Sequence, residues 1–327
     1  MINRQNWIDT KDYLAYLERI DQLSIDSIKR ARTHLRHLIE WADETALPSA
    51  RTIDPTFPSY LLKARMDGQE KPLASASIIK CLQLARRFFE FARAEWPVRY
   101  KSVSQSWIAS LQPARHLRGG MRQHVHQFYS LEDVLKIAHV ETETLREERG
   151  RAGACMLFLS GMRADALASM PRHCIHLDTG EIEQLPEFGV RTKNRKSATT
   201  YLLPIPELLE VVKDWDRRLQ SLPQDALWYS PVSTDGMSLI YRNTAHFNRA
   251  EKIQQDVRRL CAIAGIPYLT PHKLRHGHVV YALKKSKTFA DFKAVSQNVM
   301  HASVTITDSI YGGLSGNDVQ SIISSLK

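Results

Sequence analysis

The chain has 327 residues, 43% hydrophobic and 24% charged, which is ordinary globular composition with the length of about two domains. A net charge of +10 points to a polyanionic partner, of which nucleic acid is the commonest. No apolar run reaches the ~18 residues that span a bilayer, and four scattered cysteines (Cys81, Cys155, Cys174, Cys261) with no CxxC pair exclude a disulfide framework.

The first twenty residues lack the apolar stretch of a secretory signal, so a cytoplasmic protein is expected. Residues 1–96 read as helices separated by short breaks. Ser24 can cap a helix from Ile25 to about Ala46, with Ile28, Leu35, Leu38, Ile39 and Ala42 near helical spacing. Pro48, Pro55 and Pro58 interrupt the chain before a shorter segment, Ser59 to Met66. A long helical pattern then runs from about Ser75 to Glu95. Residues 1–125 hold 20 Lys+Arg against 13 Asp+Glu. Solvated basic faces account for such helices as well as a phosphate-binding bundle does. On the second reading Arg30, Arg36, Lys80, Arg86 and Arg87 are the candidates to meet a DNA backbone.

Residues 116–128 read as a basic interdomain linker between units 1–115 and 129–327. Gly119 and Gly120 break this region, and Arg115, Arg118 and Arg122 could lie on DNA. Ser130 and Asp133 have the spacing of a capping box ahead of the apolar run Val134–Val140. A helix from about Arg149 to Leu159 stops at Gly161. Ile175, Leu177, Ile182 and Leu185 alternate around Asp178-Thr179-Gly180, a hairpin signal. Phe188–Arg191 and Thr199–Leu203 flank a polar turn that carries Lys193 and Lys196. Helices follow at about Pro206–Leu219 and Arg249–Ala264. The expected fold is mainly α, with a small antiparallel sheet in the second of two domains.

The chemistry concentrates between His272 and Tyr311. His272 and Arg275 lie one helical turn apart and can share a face. An imidazole moves protons near neutral pH, a guanidinium grips phosphate oxygens, and a phenol can attack phosphorus. His272, His276, His278 and His301 could instead hold zinc, but Lys273 stands where an H-E-x-x-H motif has its acid. Alone, H-x-x-R is a weak signal.

In combination the order Arg163, Lys193, His272-x-x-Arg275, His301, Tyr311 resembles the tyrosine recombinase (phage integrase) family. Leu269–His276 is similar to that family's box around its second arginine. Met300–Val304 with Ile310-Tyr311 is similar to its last box, His301 standing ten residues before Tyr311. The resemblance implies a two-domain DNA clamp with a helical core-binding domain ahead of the catalytic one, and four protomers exchanging strands on two duplexes. It implies that Tyr311 attacks the scissile phosphate to give a 3′-phosphotyrosine and a free 5′-hydroxyl. Arg163 and Arg275 would hold the non-bridging oxygens, Lys193 would protonate the leaving oxygen, His272 would assist proton transfer and His301 would bond the phosphate. No metal or nucleotide cofactor is implied. Two positions depart from the pattern. Met300 stands where glycine usually precedes the last histidine, and the acid after the first arginine is Asp165, one residue earlier than usual, with Ala166 in its place. Lys196 competes with Lys193, which matches the pattern better.

Two other functions use the same parts: a relaxing topoisomerase, and a non-catalytic DNA-binding protein of this fold. Nothing ahead of the core-binding region resembles an arm-binding domain. A directionality factor or partner recombinase stays open, as does whether the apolar face of the last helix (Val319, Ile322, Ile323, Leu326) docks on its own domain or on a neighbour.

Overall fold

The computed structural model describes residues 2–63, 72–115, 127–246 and 248–300, grouped into two compact units, Met1–His124 and Val125–Lys327. Residues 116–126 of the expected linker, His301, Tyr311 and the terminal apolar helix lie outside the described residues. Among the described residues, no helix is long and apolar enough to cross a membrane.

The first unit is helical. Its elements are α1 (Arg4–Arg19), α2 (Ile25–Ala42), α3 (Phe57–Tyr60), α4 (Ser75–Glu95) and α5 (Gln105–Ser110). Ser24 caps α2 by accepting from the Ser27 amide, as the sequence suggests. The helix ends at Ala42, short of the expected Ala46, because Asp43 takes a positive φ of 45° and turns the chain aside. Of the expected helix from Ser59 to Met66, residues 64–66 lie outside the described residues, and the described part is one short turn, α3. Helix α4 has the expected bounds. Its buried face (Ile78, Leu82, Ala85, Phe88, Phe89, Ala92) joins Tyr13, Leu17, Leu38, Phe57 and Tyr100 in one core. Asp9 on α1 is fully buried, and it stays stable there because Tyr100 Oη (2.5 Å) and Arg99 Nη2 (2.8 Å) both donate to it. A buried acid thus ties α1 to the segment after α4.

The second unit is built around one helix. Its helices are α6 (Leu131–Ala138), α7 (Leu145–Ser160), α8 (Ala164–Ala168), α9 (Pro206–Leu219), α10 (Arg249–Ile263), α11 (His272–Lys285) and α12 (Phe289–Asn298). Helices α6, α9, α10 and α11 all pack on α7. Every residue of α7 from Ala152 to Ser160 is buried, so it shows no amphipathic stripe. Gly150 and Gly153 make the approach possible: a Cβ on Gly153 would lie 2.6 Å from the Tyr229 ring. Arg149 also enters this core, donating to Asp256 Oδ2 through Nε (3.1 Å) and Nη2 (2.6 Å) and to the Ser230 carbonyl. The Ser130–Asp133 capping box forms at α6, a feature worth about 1 kcal/mol.

Three antiparallel strands, β1 (Ile175–His176), β2 (Glu181–Gln184) and β3 (Ala198–Tyr201), lie in the order β1-β2-β3. The predicted hairpin joins β1 and β2, pairing Ile175 with Ile182 around Leu177–Gly180. Of the two segments expected to flank the lysine turn, Phe188–Arg191 forms no strand. Pro186 opens a 3-10 turn over Pro186–Phe188, since its ring supplies a turn φ and no amide for a ladder. Strand β3 pairs instead with β2, Glu181 opposite Tyr201. Lys193 therefore sits in the long connection Leu185–Ser197 and not in a tight turn.

Candidate active site

Helix α7 ends at Gly161 in the left-handed region, φ 64°. The neighbours, as well as the backbone, demand glycine here: a Cβ would fall 2.6 Å from His278 Cδ2 and 2.8 Å from Val299 Cγ1. Two residues on, Arg163 occupies the N-cap of α8 in extended conformation. It is half-buried, and burial holds its guanidinium below the ordinary arginine value. Among the described residues, no carboxylate or carbonyl receives a hydrogen bond from it. A partly desolvated, forked cation in that position is suited to an external oxyanion.

Helix α11 brings the H-x-x-R pair to the same place. Arg275 is 2% exposed. Its Nη1 donates to the Gly161 carbonyl (2.7 Å), and its Nη2 donates to the Val299 carbonyl. These bonds fix the fork between the end of α7 and the chain following α12. His272, the first residue of α11, is open to solvent at its edge. Desolvation, and then the charges of Arg275, Arg163 and Lys273, lower its pKa from the usual histidine value. The ring is thus neutral near pH 7 and can accept a proton, whereas a bound phosphate would pull its pKa upward. Its other neighbour is His276, 4.7 Å away between ring centroids. His278 is committed elsewhere: its Nδ1 lies 2.7 Å from the Phe158 carbonyl, and burial lowers its pKa to about 4. A neutral, donor-satisfied ring packed under Gly161 serves the fold and removes His278 from the histidine cluster that zinc would need.

The last box begins at a corner. Helix α12 starts with a capping box, Thr288 with Asp291, and ends at Asn298. Met300 then takes φ 54°. The departure noted in the sequence is therefore a strained position. The backbone does enter the region that glycine prefers, and a methionine occupies it at a cost of about 1–2 kcal/mol. Met300→Gly is expected to stabilise the protein, raising the thermal midpoint by about 2–4 °C. An unchanged or lower midpoint in calorimetry would mean that the methionine side chain repays its own strain.

The lysine segment is tied to the arginine box through Arg191. Its amide donates to Ser169 Oγ (2.8 Å), its Nε lies 3.3 Å from Asp165 Oδ1 and its Nη2 donates to the His246 carbonyl (3.1 Å). Asp165, the displaced acid of the sequence pattern, thus holds the Lys193 loop. Lys193 and Lys196 are both exposed, and Asn194 and Arg195 between them have left-handed φ of 60° and 52°. Arg163, His272 and Arg275 are brought together: Arg275 Nη1 donates to the Gly161 carbonyl, two residues before Arg163, and His272 lies one turn before Arg275 on α11. No hydrogen bond or ion pair joins Lys193 to them.

In the first unit, Arg30, Lys80, Arg86 and Arg87 line one cleft of about 580 Å³ between α2 and α4, together with His34. Arg87 also pairs with Asp21 (2.8 Å). Arg36 lies outside this cleft: it pairs with Glu40 (2.5 Å) and borders a separate groove with Trp7 and Lys11. Arg115 is exposed, while Arg118 and Arg122 lie outside the described residues.

This arrangement can be set beside known proteins. The tyrosine recombinase XerC of Salmonella typhi is 24% identical over 304 residues, covering 92% of this chain and 89% of that protein. A XerH site-specific recombinase bound to palindromic difH substrate, in a post-cleavage complex, superposes with a TM-score of 0.65 at 16% identity, over 96% of this chain and 83% of that one. A lambda integrase tetramer bound to a Holliday junction gives 0.64 at 14% identity, over 94% of this chain and 78% of that one. These two share the fold. Residues 128–316 match the model of the phage integrase family, and the chain belongs to that family.

Proposed function

We propose that this phage integrase family member, a site-specific DNA recombinase, cuts and rejoins DNA through a 3′-phosphotyrosine on Tyr311. The carrying observation is the convergence of Arg163, His272 and Arg275 on one electropositive site, where Arg163 is partly desolvated and, among the described residues, has no ion-pair partner. The forks of Arg163 and Arg275 neutralise the non-bridging oxygens, which is where charge builds as the phosphorus is attacked. Neutral His272 takes the phenol proton as Tyr311 attacks. The 5′-oxygen leaves with a proton from Lys193, and His301 bonds the phosphate. The ester on Tyr311 stores the bond energy, so the reverse attack by a 5′-hydroxyl rejoins the strand without a nucleotide cofactor.

DNA lies along the α2–α4 cleft, held by Arg30, Lys80, Arg86 and Arg87, and along the linker, held by Arg115, Arg118 and Arg122. Four copies assemble on two duplexes, as the lambda integrase tetramer does on its junction. The test uses a plasmid carrying two copies of a recombination site, sought as short inverted repeats in the DNA flanking the gene. Purified protein should resolve it into two circles and leave a supercoiled plasmid without the site untouched. Relaxation of the siteless plasmid would assign a topoisomerase activity instead. A requirement for host extract would reveal a directionality factor or a partner recombinase.

A further inference from the structure

Among the described residues β3 is an edge strand of the three-stranded sheet, and one side chain from another element bonds to that edge. The Tyr201 amide donates to Asn298 Oδ1 (2.7 Å), and Asn298 Nδ2 donates back to the Tyr201 carbonyl (3.0 Å). This is the two-bond exchange that a residue on a neighbouring antiparallel strand would make. The carboxamide therefore stands in for one residue of a fourth strand. A second link lies beneath it: Thr200 Oγ1 donates to the Asn298 carbonyl (3.1 Å) and accepts from Gln184 Nε2 (2.6 Å). Thr200 and Gln184 are both buried, at 0% and 3% exposure, so these bonds are made away from competing water.

The position of Asn298 gives this pairing its consequence. It is the last residue of α12. Its neighbour Val299 offers its carbonyl to Arg275, and Met300 after that turns the chain towards His301. On the other side, β3 ends the connection that carries Lys193. We propose that Asn298 is a positioning residue for cleavage: it locks the strand behind the Lys193 loop to the Arg275-held corner, so that the proton donor and the phosphate clamp keep one geometry. Lys193 itself is exposed on a connection with two left-handed residues. The β2–β3 ladder holds the far end of that connection in the sheet, and the Asn298 clamp ties that end to α12.

This inference rests on the reading of Lys193 as the acid for the leaving oxygen, and its test separates the two. Asn298→Ala removes both bonds. The isosteric Asn298→Asp keeps the acceptor but turns a carboxylate oxygen on the Tyr201 carbonyl. Single-turnover cleavage is measured on a nicked substrate carrying the protein's own site, once with the normal 5′-oxygen and once with a bridging 5′-sulfur, which leaves without protonation. Both variants should cleave the oxygen substrate about ten- to a hundredfold more slowly than wild type. On the sulfur substrate they should match it, with DNA affinity unchanged. In the protein alone, amide exchange over residues 193–201 should quicken. Equal slowing on both substrates, or no slowing on either, overturns the positioning role. If wild-type protein forms no covalent adduct on the oxygen substrate, the recombinase reading itself fails. If Lys193→Ala is not rescued by sulfur while wild type is active, the acid is another group and the inference falls with that assignment.

Discussion

Tyr311→Phe is expected to bind and pair DNA like the wild type, and to form no covalent adduct with a substrate nicked beside the cleavage site. Removing one oxygen atom removes the nucleophile, and the loss should be roughly 10⁴-fold or more. The two tyrosines that flank the H-x-x-R pair in sequence are engaged elsewhere. Tyr281 packs against the Phe158 ring at 6.1 Å between centroids, and Tyr268 lies under the Arg258 guanidinium at 4.6 Å. The fully buried Tyr129 and Tyr229 have pKa values raised by burial, the reverse of what a nucleophile needs. Denaturing gels of the stalled reaction read the adduct directly. A normal yield from Tyr311→Phe would remove Tyr311 from the mechanism.

Replacing Arg163 should be the next most damaging change to chemistry and among the least damaging to the fold. Its guanidinium makes no hydrogen bond to the described protein, so Arg163→Ala leaves no broken network and relieves a half-buried charge. The thermal midpoint should hold or rise slightly. Cleavage should fall by about 10²–10³-fold, the cost of one lost donor to developing oxyanion charge. Arg163→Lys should recover only part of this, because an ammonium keeps the charge and loses the fork. Arg275 offers the contrast. Its bonds to Gly161 and Val299 mean that Arg275→Ala should lose stability as well as activity. Cleavage by Arg163→Ala within tenfold of wild type would mean that this arginine does not hold the phosphate.

Helices with a clear stripe, such as α4 and α9, were legible in the sequence to the residue, because one face must be buried and the other must not. Helix α12 was overlooked, although Thr288 and Asp291 carry the same capping-box signal that located α6. Its buried residues are too few to make a stripe, and the cap was the available clue. The Phe188–Arg191 segment does not pair across the lysine turn, because the proline two residues upstream starts a 3-10 turn. At the site, the residue types and their order identified Arg163, His272 and Arg275, which the fold then brought together. The role of Asn298 could not be read from the sequence, since nothing local links it to Tyr201, 97 residues earlier. Asp165 was visible as a misplaced acid, and only the structure shows it holding the lysine loop instead of the arginine.

The two carbonyls gripped by Arg275 lie 114 and 24 residues away in the chain. Contacts with such separations close late, because the intervening loops must lose their freedom before the bonds repay it. A chain still emerging during synthesis exposes its N-terminal basic residues before the segment that carries Arg275 is made. It does not yet possess an aligned guanidinium fork, because the carbonyls that align it are not in place. On the proposed mechanism, strand cleavage is thereby expected only of molecules whose second unit has finished folding, so that the timing of assembly would act as a safety catch on the chemistry.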